Sequence, residues 1–387
     1  MEAYDDIGAN YWQQAGDPQL SQLFRLSLEK AASTSSEPLA TTTRAAVAQM
    51  LFGAFNGQST TTQEQLAVQT LEIALYNLAP TGRDNLLSNQ AQIELQNTVN
   101  NVNPNNNLYD DLDLPQGASQ DAVSQAVAQK TAALSATTSS AGKQELQQVE
   151  QAASTLSNPT AKTVYDRTGA QATVFTHVLN AHTLYIDISP VAPSTIAEFA
   201  AAIDSASTTP ALDTLVIDLR GNIGGDLSFA QEFLALFFGP NQYAFDLFHQ
   251  SNLEVQRTAS IPQDPTISQF KQIAVLTDSM TQSTAELAAS ALKHDHLAVI
   301  VGTATRGWGS VEQVIPMKTE IDPTEQYALE LVVYLTVRYD GLPIEGNGVV
   351  PDVNVSDPNW KSQLPDYIYS PYLISALESE ATKPALH

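Results

Sequence analysis

The chain contains no cysteine, few lysines and arginines, and no apolar run near the ~20 residues that a membrane-spanning helix needs. Without cysteine, disulfides, thiolate metal sites and a Cys nucleophile are excluded. Zero cysteine also fits an exported protein that has no covalent staples. Seventeen Lys and Arg stand against 42 Asp and Glu, for a net charge of -25. A surface of that sign repels phosphate backbones and anionic lipid, so nucleic acid is not expected as a partner. The opening "MEAYDDIGANYWQQ" is acidic and lacks the basic start and apolar stretch of a signal peptide. The expected location is outside the cytoplasm (periplasm, cell surface or medium), with any signal segment already removed.

What is present is length and contrast. The 387 residues suffice for more than one domain, and three segments differ in character. In residues 1–100, "TTTRAAVAQMLFGAF" and "TTTQEQLAVQTLEIALYNL" repeat apolar residues every three or four positions, each after threonines suited to capping. From about Glu37 to Gln96 this predicts a helical layer, ended by the Asn-rich linker "NTVNNVNPNNN".

Residues 101–170 read as a small all-helical module. Ser119 is the expected N-cap of one helix, a second stops near Asn158-Pro159, and a short third ends at Gly169. "LYDDLDLPQGAS" and "AASTLSNPTAKTVYDRTG" resemble the opening and close of a J-domain. A J-domain recruits its chaperone through a His-Pro-Asp loop and a basic helix, and "KTAALSATTSSAGKQ" has neither. The expected role is a structural or docking spacer, without chaperone recruitment.

Residues 171–387 alternate short β-rich runs ("HTLYIDIS", "LDTLVIDLR", "QIAVLTD", "LAVIVGT") with helical stretches. That order predicts an α/β fold with a mostly parallel sheet, whose ligand sites gather at the carboxyl ends of the strands. Two stretches fall there. "DLRGNIGGD", Asp218 to Asp226, supplies three glycines ahead of a helix, a setting where bare N–H groups can hold an oxyanion. "TDSMTQSTAELAASALK" puts Ser283 at the mouth of a helix with Glu286 three residues on, which is both a capping box and a setting for a nucleophile. The tail "YLISALESEATKPALH" reads as one more helix with a frayed end.

Together with "IVGTATRGWGSVEQ" and "GLPIEGNGVVPDVNV", these stretches occur in an order that resembles the C-terminal processing, or tail-specific, serine peptidase family. The resemblance spans roughly residues 174 to 356 and implies a barrel-like α/β peptidase core, no cofactor and an extended peptide substrate. It makes Ser283 the nucleophile, with the amides of Gly224 (or Gly225) and Thr284 as oxyanion hole. The general base departs from the family: its lysine in T-x-G-K-G is Trp308 here, in Thr305-Arg306-Gly307-Trp308-Gly309, and the assisting glutamine is Glu312. Relatives that use histidine take it from the preceding helical region, where "LAPTGRDNLL" has none; Glu345 stands where their glutamate would.

His177, His182, Glu312 and Glu345 are therefore the candidates for base or support. Lys293 and His294 lie ten and eleven residues along the same helix as Ser283, ~15 Å away at ~1.5 Å per residue, too far to touch the hydroxyl. "HDH" at His294 to His296 reads as a solvated helix end and no metal is expected. Glu286 is expected to support the helix end. Two functions stay open: a serine peptidase with an atypical base, and an inactive pseudopeptidase that binds peptide or acts as a scaffold. Self-association is left open.

Overall fold

The computed structural model describes residues 1–35, 38–209 and 211–385. Along the chain run helices α1 (Glu2–Asn10), α2 (Asp17–Ala32), α3 (Arg44–Phe55) and α4 (Thr60–Tyr76), strand β1 (Asn85–Leu87), and helices α5 (Asn89–Val99), α6 (Leu108–Asp111), α7 (Gln120–Leu134), α8 (Ser140–Leu156) and α9 (Pro159–Thr168). Next come β2 (Val174–Asn180), β3 (Thr183–Ile188), α10 (Thr195–Ala206), β4 (Thr214–Asp218), α11 (Leu227–Phe238), β5 (Tyr243–His249), β6 (Asn252–Arg257), β7 (Gln272–Thr277) and α12 (Thr284–His294). The chain continues through β8 (Ala298–Gly302), β9 (Ser310–Pro316), β10 (Ala328–Val337), β11 (Val353–Asn354), α13 (Trp360–Gln363) and α14 (Pro371–Glu380).

The capping signals largely hold. Thr43 accepts from the Ala46 amide at the start of α3, and Ser119 from Ala122 at the start of α7. Asn158 caps α9 with Pro159 at its first position, and Gly169 closes it in the left-handed conformation. At α4 the cap is Ser59, so the threonines form the first helical turn instead of preceding it. Glu37, where the helical reading begins, lies outside the described residues, as do the last two residues of the tail. Within 1–100 the expectation of helices alone is corrected by β1: "NLL" pairs antiparallel with β10, whose register puts Asn85 opposite Glu330. Three residues are too few to show a period in the sequence.

Two compact units divide the chain, and they cut across the three segments seen in the sequence. The first holds residues 1–95, 245–256 and 309–345; the second holds 96–244, 257–308 and 346–387. The first unit has the antiparallel order β1-β10-β5-β6, with β9 on the other side of β10. Its core gathers Tyr4, Ile7, Phe24, Leu75, Leu329 and Leu331.

The second unit carries the mostly parallel sheet, order β11-β8-β7-β4-β3-β2, in which only the end strand β2 is antiparallel to its neighbour. Tyr185, Val216, Ala274, Leu276 and Val301 point to one face and pack with Trp360, Leu373 and Leu377 of α13 and α14. Alternation sends their neighbours Ile186, Ile217, Val275 and Ile300, all fully buried, to the opposite face. Helices α6 to α9 close a separate small core around Leu108, Tyr109, Val149 and Leu156.

Candidate active site

Register fixes where chemistry can sit. Asp187, Asp218 and Leu276 form one row across β3, β4 and β7 at their carboxyl ends. Three loops leave that end of the sheet: 219–226 after β4, 278–283 after β7 and 303–309 after β8. Hydrogen bonds zip them together. Gly221 N–H donates to Asp278 Oδ1 at 3.0 Å, Thr281 Oγ1 to the Leu219 carbonyl at 2.7 Å, Gln282 N–H to the Asn222 carbonyl at 2.9 Å and Arg306 N–H to the Thr281 carbonyl at 2.9 Å. The stretch "GNGVVPD" joins them where Gly346 N–H donates to the Gly307 carbonyl at 3.0 Å.

Ser283 stands at the N-terminal boundary of α12 with φ 58° and ψ -128°, a backbone conformation that costs a non-glycine residue of order 1–3 kcal/mol. Its N–H donates to the Glu286 carboxylate at 2.9 Å and to the Trp308 carbonyl at 3.1 Å. The Glu286 N–H goes to the Ser283 main-chain carbonyl, also at 2.9 Å. The Glu286 side chain thus bonds back to the start of its own helix from a fully buried position. Oε1 accepts from the Thr305 hydroxyl (2.5 Å) and Gly307 N–H (2.7 Å); Oε2 accepts from Trp308 N–H (2.8 Å) and Ser283 N–H. Burial pushes this carboxyl above its ordinary range, and the four donors pull it back part of the way.

Gly224 adopts φ +79°, and a Cβ there would come within 2.6 Å of the Ser283 Cβ and 3.0 Å of the Thr284 amide. Only glycine lets the turn lie against the serine. The amides of the glycine turn are each engaged by a side chain. Gly224 N–H donates to Asn222 Oδ1 at 2.8 Å, and Gly225 N–H to Thr284 Oγ1 at 3.1 Å. Thr284 is the first residue of α12, a position whose N–H has no intrahelical acceptor.

The two candidate histidines lie apart from this constellation. His182 precedes β3 at the amino end of the parallel strands, bonded to Asp213 (3.2 Å) and stacked on Tyr372 (3.9 Å between centroids). Five residues of strand separate that end from the carboxyl row, roughly 16 Å at ~3.3 Å each. His177 sits on β2, in the row of Tyr185, with its ring 4.6 Å from that tyrosine's. Three strand spacings from β7 place it ~14 Å away, and burial pushes its pKa down. The structure brings neither histidine to Ser283.

Glu312 and Glu345 belong to the other compact unit. There Glu345 pairs with Arg83 (2.9 Å) and accepts from Gly309 N–H (2.9 Å), while Glu312 accepts from the Ser310 hydroxyl (2.6 Å). Glu312 and Glu330 also flank buried Asp84. Burial and those two charges push the Asp84 carboxyl up to about 7, against the opposing bond from Val332 N–H. The ring of Trp308, at the lysine position, lies 5.1 Å from the guanidinium carbon of Arg306.

Asn222, Thr281 and Thr305 escaped the sequence reading. Each lies inside a stretch already singled out, and each is a short polar residue in a loop: Asn222 beside Gly221, Thr281 three residues after Asp278 and Thr305 two before Gly307, a setting in which such side chains often bond to backbone.

The region that holds these loops is similar to known proteins. Residues 182–355 match the model of peptidase family S41. The chain is also similar to a carboxy-terminal-processing protease of Bartonella bacilliformis, 30% identical over 199 residues, which are 51% of this chain and 42% of the relative. It is also similar to carboxy-terminal processing protease CtpB of Bacillus subtilis, 26% identical over 201 residues, 52% of this chain and 39% of the relative. The chain therefore spans less than half the length of these relatives. A solved lipoprotein from Streptococcus agalactiae overlaps 95% of both chains at 14% identity and a TM-score of 0.48.

Proposed function

We propose that the chain is a serine peptidase of the C-terminal processing kind, with Ser283 as the acyl-forming nucleophile and an extended peptide as substrate. The observation that carries this is the Ser283 turn: a strained strand-to-helix junction, held by Glu286 and lying against Gly224, at the carboxyl end of a parallel sheet. Strain of this type exposes a hydroxyl at the end of a strand for attack. The Thr284 amide, at the positive end of α12, is the oxyanion donor in this reading. Gly224 would join it by giving up Asn222. Residues 101–170 serve as spacer or docking module, and the location is outside the cytoplasm. No helix among the described residues is long and apolar enough to cross a membrane.

Incubation with a fluorophosphonate probe tests the proposal. A covalent adduct on Ser283, lost in Ser283→Ala, is expected; an unlabelled serine in folded protein would overturn it. The second reading, a peptide-binding pseudopeptidase, is favoured by Trp308 at the base position and by the engaged Gly224 amide. It predicts peptide binding of equal strength in the parent protein and Ser283→Ala, together with no adduct.

A further inference from the structure

Arg220 lies in the same stretch as Gly224, one residue before the glycine turn, yet its side chain serves the face of the sheet covered by α14. Nε bonds both oxygens of Asp218 (2.9 and 3.0 Å), and Nη2 bonds Oδ2 at 2.5 Å. Nη1 reaches the main-chain carbonyls of Ala381 (3.4 Å) and Lys383, just past the end of α14. Asp218 is wholly buried and Arg220 nearly so. The Tyr185 hydroxyl donates to Asp218 Oδ2 at 2.5 Å. Burial alone would lower the Arg220 pKa, but the bonds and charge of Asp218 outweigh it and raise it. Burial and the Asp218 charge likewise raise Tyr185, which keeps its proton to donate.

Two things that are far apart in sequence thus meet on one guanidinium. On one side is the turn, pinned by Arg220 N–H to Asp218 Oδ1 (2.9 Å) and by Gly221 N–H to Asp278. On the other are the carbonyl of Ala381, the C-cap of α14, which lacks an intrahelical donor and lies where the helix favours a cation, and that of Lys383 two residues on. Helix α14 is seated by Leu373, Leu377 and Ala381 in the core that includes Tyr185. A planar five-donor fork can hold a carboxylate and two carbonyls together; an ammonium holds them poorly.

We propose that the segment after α14 is a clasp on the glycine turn, and that Arg220 is the positioning residue through which it acts. With residues 381–383 docked, Arg220 is fixed at both ends and the turn 221–225 is held against Ser283. With them displaced, Arg220 keeps Asp218, loses its outer anchor, and the turn loosens. The effect on chemistry rests on the reading of Ser283 as nucleophile; the mechanical coupling does not.

The test compares the full chain with Arg220→Lys, Lys383→Ala and a chain ended at Glu380. Two readouts are used: hydrogen exchange of the Gly221, Asn222, Gly224 and Gly225 amides, and fluorophosphonate labelling resolved into limiting rate and half-saturating concentration. Arg220→Lys and the shortened chain should each speed turn exchange about tenfold. Both should lower the limiting rate about tenfold, with the half-saturating concentration unchanged. Lys383→Ala keeps the carbonyl and should match the parent protein. Parental exchange in both Arg220→Lys and the shortened chain would overturn the clasp, as would a Lys383→Ala that behaves like the shortened chain. If the shortened chain does not fold, Arg220→Lys decides alone by exchange. If the parent protein takes no label, the Ser283 reading fails while the exchange data still decide the clasp.

Discussion

Replacing Glu286 by Gln changes one atom and puts the site's architecture under test. The carboxylate now satisfies four donors, two on each oxygen. A carboxamide offers one oxygen and one NH2, in either of two orientations. With the NH2 at the Oε1 position, the Thr305 hydroxyl can reverse and accept, but Gly307 N–H is left without an acceptor. With it at the Oε2 position, Ser283 N–H keeps the Trp308 carbonyl, and Trp308 N–H is left instead. Either way one buried donor is orphaned, at a cost of about 1–3 kcal/mol. Relief of a buried charge offsets part of this, so the expected loss is about 1–2 kcal/mol. Urea denaturation measures that loss, and hydrogen exchange locates it. The Gly307 and Trp308 amides should exchange faster by roughly five- to thirtyfold, the fold-change of that same 1–2 kcal/mol. A loss under about 0.5 kcal/mol with parental exchange at both amides would refute the hub assigned to Glu286.

Further outcomes are expected at three other positions. Asp84 titrates at about 7 in the folded chain against 3.8 for the ordinary group. A carboxyl raised on folding stabilises fully below its unfolded value and loses that contribution as pH rises through the folded one. The loss amounts to about 3 kcal/mol between pH 5 and 8; Asp84→Asn should abolish this slope in denaturation midpoints, and an unchanged slope would exclude Asp84 as its source. Gly224→Ala places a methyl 2.6 Å from the Ser283 Cβ on a backbone with positive φ, so it should cost about 2–3 kcal/mol and abolish labelling of Ser283; parental labelling would show that the turn does not bear on the serine. If Ser283 is the proposed nucleophile, Trp308→Lys supplies it with an amine base beside Arg306, whose charge favours the neutral amine. It should raise the labelling rate a hundredfold or more, and a rate at or below that of the parent would count against a vacant base position.

Local chemistry was the legible part of the fold and site. Helix boundaries at Ser119, Asn158 and Gly169 depend on one turn of chain, and short-range rules found them. The Ser283 to Glu286 spacing and the glycines of "DLRGNIGGD" were readable because each motif is continuous. What escaped depends on distant pairing. Strand β1 exists only because β10 takes it up, and the compact units exchange segments at 245–256 and 309–345. The histidines show the same limit: His177 and His182 are close in sequence to the first strands, but row and strand position, set by pairing with β4 and β7, put them away from Ser283. Motif position alone singles out Glu345, whose partner Arg83, 262 residues away, is fixed by tertiary structure.

Trp308 touches the serine turn with its main chain: its N–H goes to Glu286 and its carbonyl receives Ser283. Both contacts are blind to the side chain. Position 308 is therefore a socket whose frame stays put whatever residue is mounted in it, so that reactivity and scaffold can vary separately. A panel of side chains at this one position, from amine to imidazole to carboxylate, could be tried on a single turn, which makes the chain a natural host for asking how far labelling of Ser283 depends on a neighbouring base.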